Sequence, residues 1–258
     1  AVGHEALKEN ITGTDNVAIG SVALQDNTAS SNVAVGSAAL EENTTGTRNV
    51  AVGRAALENN TTGNYNVAVG YVVLNNNNGS YNVGVGYESL KQCTTGQQNI
   101  GMGVNALTAN TTGDYNVAIG PNALMAASGG DNTVAVGRNA LINCTTGNHN
   151  TAIGGSACLY GVTTGTYNSA LGVDAGQNIS TGTNNTMLGY QAGTASSPSG
   201  ALTGSNNRIV LGNNSVTHLY CADTSISSSD ARDKTDITDF TKGLDWIKAL
   251  RPVTYRWD

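Results

Sequence analysis

The sequence predicts an all-β chain, a repetitive β-solenoid or β-roll of about 17 residues per coil, and three observations lead there. The first is a recurring phrase, Asn16-Val17-Ala18-Ile19-Gly20, Asn49-Val50-Ala51-Val52-Gly53, Asn66-Val67-Ala68-Val69-Gly70, Asn116-Val117-Ala118-Ile119-Gly120. Its closing Gly falls at 3, 20, 36, 53, 70, 86, 103, 120, 137, 154, 172, 189 and 212, in steps of 17 with slips to 16 or 18 and a last step of 23. A fixed short period means one small unit stacked on itself. The second is the turn wording Asn-Thr-Thr-Gly (43–46, 60–63, 110–113), whose Asn and Gly accept positive φ. The third is Leu four residues after the first nine of these Gly, at Leu7, Leu24, Leu40, Leu57, Leu74, Leu90, Leu107, Leu124 and Leu141, the regularity that an interior ladder requires.

Each element then follows in order. Val-Ala-Val-Gly alternates large and small with the period of a strand. Seventeen residues are too few for a helix pair, and β-branched residues with Gly disfavour a helix. Each repeat reads as strand, corner, short second strand around the Ala-Leu pair, and turn. Residues 1–212 form the solenoid, a shaft or head. Ala1 stands inside a repeat, so a start upstream is expected. Charged residues are 12% and aromatics 5%, with 33 Gly and a single Phe (Phe240), which predicts a thin interior of Val, Ile, Leu and Ala.

The same numbers bound function. A formal charge of −6 argues against nucleic acid, because phosphate binding needs clustered Lys and Arg. No apolar run approaches the ~20 residues of a membrane span, so no membrane insertion is expected. Cys93 and Cys144 replace the turn Asn three coils apart, roughly 14 Å along the axis at ~4.8 Å per coil, beyond disulfide reach. Cys158 and Cys221 lack metal-ligand spacing, and all four read as small, partly buried residues of a protein made in a reducing compartment.

The residue before each strand Asn varies freely (Asp15, Ser31, Arg48, Tyr65, Tyr81, Gln98, Tyr115, His149, Tyr167), as an outward position does. Tyr65, Tyr81, Tyr115 and Tyr167 therefore stand on one exposed line. Tyr suits strand edges in any case, and an aromatic line is also a surface for a glycan or protein receptor. The Asn-Thr-Thr sequons are by-products of the turn and argue little for glycosylation.

The period breaks late. Residues 190–205 are an insertion with Pro198, Ile209-Val210-Leu211-Gly212 is the last strand phrase, and 213–228 read as a neck. From 229 charges crowd in, then Leu244, Ile247 and Leu250 with Trp246 take helical spacing up to Pro252. This is a short mixed segment, 229–258, expected to be the first part of a further domain.

Two resemblances rest on these words. The Asn-Val-Ala-Ile-Gly phrase is similar to the head repeats of trimeric autotransporter adhesins, left-handed parallel β-rolls packed three chains together, although that family uses a shorter coil. Residues 229–237 (Ser229-Asp230-Ala231-Arg232-Asp233-Lys234-Thr235-Asp236-Ile237) with Leu244 to Trp257 resemble the opening of the peptidase S74-like, self-cleaving intramolecular chaperone of bacteriophage tail fibres and tailspikes. Asp233 stands where that family has an apolar residue, and Asp236 where Asn is common. The resemblance implies a homotrimeric virion tail fibre, made in the host cytoplasm. It would attach to a host glycan or protein receptor and contact other tail proteins. It further implies cleavage of the Ser229–Asp230 bond, with Ser229 as nucleophile and Lys234 activating it. A Ser hydroxyl needs such a base, and Lys serves once its pKa is lowered.

The fibre itself is expected not to be an enzyme; autoproteolysis in the full-length chain would be a single-turnover event. No cofactor or metal is expected. A near-periodic chain can pair one coil out of register while burying nearly the same surface, which is why a C-terminal trimerising domain makes sense. The alternatives are a bacterial trimeric adhesin at the cell surface and an ice-binding solenoid carrying Thr rows. Hexapeptide acyltransferases and calcium-binding β-rolls fit worse: His4, His149 and His218 are isolated, and the turns carry Thr-Thr instead of Asp.

Overall fold

The computed structural model describes residues 1–218, and all structural statements concern these. Within them the first coil makes only a bridge, Val2 to Ile19, and every later coil contributes one strand: β1 (Val17–Ile19), β2 (Val33–Val35), β3 (Val50–Val52), β4 (Val67–Tyr71), β5 (Val83–Tyr87), β6 (Ile100–Met102), β7 (Val117–Ile119), β8 (Val134–Arg138), β9 (Thr151–Ser156), β10 (Ser169–Leu171), β11 (Thr186–Leu188) and β12 (Ile209–Leu211). They form one parallel sheet in chain order, paired in register so that Ala18 faces Ala34 and Ala51 faces Ala68. No helix occurs among the described residues. The chain is an all-β parallel solenoid of about 17 residues per coil, one compact unit from Ala1 to Thr217.

The slips in period are absorbed outside the pairing. The 16-residue coils shorten the turn, five residues from Asn27 to Asn32 against six from Asn43 to Asn49. The 18-residue coil bulges between β8 and β9, where Arg138 pairs with Ser156. In the 23-residue coil the Leu202 amide returns to the Gly193 carbonyl at 3.1 Å, closing the insertion on itself before the coil resumes.

Two sequence expectations require correction. No second strand forms around the Ala-Leu pair. The residues at both sides of its Ala take left-handed backbone, φ 53° at Val22 and 51° at Leu24, and this folds the segment into a turn. Such φ values disfavour a non-glycine residue by roughly 1–2 kcal/mol. They are held because the turn's amides still bond from coil to coil: Leu24 N–H to the Ala39 carbonyl (3.0 Å), Leu40 to Ala56 (3.0 Å), Leu57 to Val73 (3.0 Å).

The interior also differs from the expected Val, Ile, Leu and Ala. Leu and Ala are there: Leu24 to Leu141 stack as a fully buried ladder beside the central Ala or Gly of β1 to β8. The strand Val and Ile point the other way, out of the coil. The space they leave inside is taken by two columns of buried Asn. The Asn that leads most strands accepts from the backbone N–H of the residue leading the next, as in Asn49 N–H to Asn32 Oδ1 (2.9 Å), and donates to the turn Gly of the next coil, Asn49 Nδ2 to Gly63 O (2.8 Å). The turn Asn make the second column, Asn43 Nδ2 to Asn27 Oδ1 (2.6 Å), Asn60 to Asn43 (3.0 Å), Asn77 to Asn60 (3.1 Å). A thin coil buries amides at low cost because each neighbour supplies the partner. The sequon residues Asn43 and Asn110 belong to this column and face inward.

Cys93 and Cys144 continue the turn column, their Sγ atoms 3.4 Å from the Gly96 and Gly147 carbonyls, while Cys158 takes an Ala place beside the Leu ladder. All three are fully buried free thiols, more enclosed than the sequence suggested. Burial pushes their pKa up to about 12 at Cys93 and Cys158 and about 11 at Cys144. Cys221 lies outside the described residues.

Candidate functional site

The outward side of the sheet is the first candidate surface. Each of the strands β1 to β8 turns two apolar side chains to solvent around one buried Ala or Gly, as Val17 and Ile19 do around Ala18. In β9, β10 and β11 the leading member becomes Thr151, Ser169 and Thr186, while Ile153, Leu171 and Leu188 keep the second row apolar. At twelve strands long, this strip exposes on the order of 1,000 Å² of apolar surface, against ~300–600 Å² for the largest patch on an ordinary monomer. The sequence reading placed these side chains inside and so missed the strip.

The second candidate is the tyrosine line, and the structure places it where the spacing put it. Tyr65, Tyr81, Tyr115 and Tyr167 are 42%, 53%, 51% and 59% exposed, each on left-handed backbone just before a strand Asn. Stacking of the coils converts the line into contacts. The Tyr65 and Tyr81 rings stack at 4.9 Å and 5°, and His149 stacks on Tyr167 at 4.8 Å. Arg48 covers Tyr65 at 5.2 Å, with Nη1 donating to its hydroxyl at 2.8 Å. Gln98 separates Tyr81 from Tyr115 and donates from Nε2 to the Tyr115 hydroxyl at 3.4 Å. Tyr81, Val83, Gln98 and Ile100 line a shallow groove where this row meets the apolar strip.

A second aromatic row runs along the opposite edge of the strip and was missed. Tyr71 and Tyr87 follow the closing Gly of β4 and β5 and stack at 5.2 Å and 10°, with Arg54 over Tyr71 at 5.5 Å and Nη1 2.9 Å from its hydroxyl. The neighbouring Glu88 carboxylate raises the Tyr87 pKa. The signal was present, since the residue after Gly53, Gly70 and Gly86 is Arg, Tyr and Tyr. Elsewhere the same place holds Ser37, Val104 or Pro121, which hides it.

The Thr rows are present but engaged. Thr44 Oγ1 donates to the Thr61 carbonyl at 2.9 Å and Thr94 to Thr111 at 2.9 Å, so these hydroxyls bond along the solenoid. Among the described residues no group of His, Cys, Asp and Glu could hold a metal ion, and no helix is long and apolar enough to cross a membrane. The expected cleavage residues Ser229, Asp230 and Lys234 lie outside the described residues.

No curated protein and no solved structure matches the chain. Residues 229–258 match the model of the peptidase S74 family, the chaperone of endosialidase.

Proposed function

We propose that the chain is part of a fibre of a phage or phage-like tail, three copies packed through their apolar strips, that attaches to a host cell. What supports the reading is the chaperone-of-endosialidase match at 229–258 following a solenoid with an uncovered apolar sheet. An intramolecular chaperone has most use where near-identical coils can pair out of register. Each strip is shared between two neighbours, and three strips together would bury on the order of 3,000 Å², the scale of an obligate assembly. On this reading the chaperone aligns three chains and is then released at Ser229–Asp230, with Ser229 the nucleophile and Lys234 its base. The exposed tyrosines Tyr65, Tyr81, Tyr115 and Tyr167 are the candidate contacts for a glycan or protein receptor, and the fibre belongs in the virion beside other tail proteins.

Light scattering tests the assembly. Three chain masses in solution are expected. One chain mass would overturn the fibre and return weight to a monomeric ligand-binding or ice-binding solenoid. A trimer that shows no chaperone release in its gene-length form would favour a bacterial surface adhesin.

A further inference from the structure

The two edges of the apolar strip carry the same residues at the same heights. Arg48 and Arg54 flank β3, Tyr65 and Tyr71 mark the two ends of β4, and Tyr81 and Tyr87 those of β5. Each edge repeats one arrangement, a guanidinium over the first Tyr and the first Tyr stacked on the second. Within one chain the edges are separated by the strand, ~20 Å for six residues, and do not meet.

Resting on the trimer reading above, we propose that the Arg48–Tyr65–Tyr81 edge of one protomer packs against the Arg54–Tyr71–Tyr87 edge of the next, making an aromatic seam at each corner of the trimer. The geometry follows from symmetry. Three parallel solenoids turning their strips to a common axis place three short strands head to tail, so each strand's end meets the start of the neighbour's. A closed ring admits no net rise around the axis, so coils of equal height must meet. Tyr65 then faces Tyr71, and Tyr81 faces Tyr87. Each guanidinium leans along its own edge toward a tyrosine hydroxyl and away from the opposing Arg. Stacked aromatics bury large area with little loss of side-chain freedom, which suits an interface anchor. In this packing Tyr65 and Tyr81 leave the candidate receptor surface, and Tyr115 and Tyr167, whose coils carry Pro121 and Val173 at the other edge, remain for outside contacts.

Cysteine crosslinking of the full chain tests the seam. Tyr81→Cys with Tyr87→Cys cannot close a disulfide within one chain, because the positions lie too far apart. Oxidation of the double variant is expected to give covalent dimers and trimers on a non-reducing gel, and each single variant none. Crosslinking of Tyr81→Cys alone would mean two like edges meeting and would overturn the seam. So would a trimeric mass without crosslinks in a double variant whose circular dichroism matches the parent. A monomeric mass would overturn the trimer and the seam together, which separates the two failures.

Discussion

Asn110 and Ala127 occupy the same interior place in successive coils, and the Asn110 carboxamide oxygen is left without a partner because the Ala127 side chain has no N–H and its backbone amide donates to the Leu124 carbonyl. Where Asn follows Asn in the column that bond is made, as from Asn60 to Asn43. Asn110 still donates to the Gly113 carbonyl at 3.0 Å, but that oxygen also accepts from Asn99.

The same substitution should therefore have different effects at the two positions. Asn60→Val strips the donor from Asn43 Oδ1 and leaves it buried and unpaired, a loss of about 1–3 kcal/mol. Asn110→Val removes an existing orphan and leaves Gly113 satisfied, so it is expected to be neutral or stabilising. Urea unfolding of both variants checks this, and equal losses would refute the ladder account.

A second relationship is compensatory. Val73 stands where most coils have Ala, and the strand residue against it is Gly84, where a side chain would meet Val73 Cγ1. Gly84→Ala should destabilise by about 1–3 kcal/mol through overpacking. Val73→Ala in the same chain should recover much of that loss, a coupling that a double-mutant cycle measures.

The buried thiols give the chain an alkaline limit. Below the ordinary thiol pKa of 9.0, folded and unfolded chains both keep these protons. As pH rises from 9.0 toward about 12, the unfolded chain releases them first, so folded stability falls. Each thiol contributes ~1.4 kcal/mol per pH unit in that window. Replacing Cys93, Cys144 and Cys158 by Ala should flatten the decline in urea midpoint between roughly pH 9 and pH 11. The folded chain should also resist thiol reagents at neutral pH at these three positions, since a protonated thiol is a poor nucleophile.

Release of the chaperone has a chemical signature. A gene-length form of the chain should yield a fragment whose new C-terminus is Ser229, and Lys234→Ala should abolish it. Mass spectrometry of the purified product reads both, and an uncut parent chain would remove Ser229 and Lys234 from the roles proposed for them.

How much of this was legible depends on what stacking repeats. The Leu ladder, the closing Gly and the outward tyrosines recur in one environment coil after coil, so their spacing reveals them. The direction of the strands does not follow from spacing. In a three-residue strand such as Val50–Val52, alternation allows either the Ala or the two Val inside, and the rule that large apolar residues go inside favours the wrong answer. The interior is already filled by the Leu ladder, the strand Ala and the Asn columns, so the Val pair stay outside, where the proposed trimer would cover them. The turn around Leu24 was hidden because propensity gives no hint of Leu at φ 51°. The Arg54–Tyr71–Tyr87 edge was readable in principle, but its place is varied enough to look like linker.

The gap at Asn110 also bears on what happens when such a shaft is pulled. In a solenoid each coil grips only its neighbours, so axial tension passes through every junction in series and rupture begins at the weakest. From Asn10 to Asn77 the turn column is clasped amide to amide, whereas beyond it Cys93, Ala127, Cys144, Val162 and Ile179 bring no carboxamide to the column. Stretched from its ends, a single chain should part first beyond Asn77, leaving the coils from Asn10 to Asn77 intact as one mechanical segment.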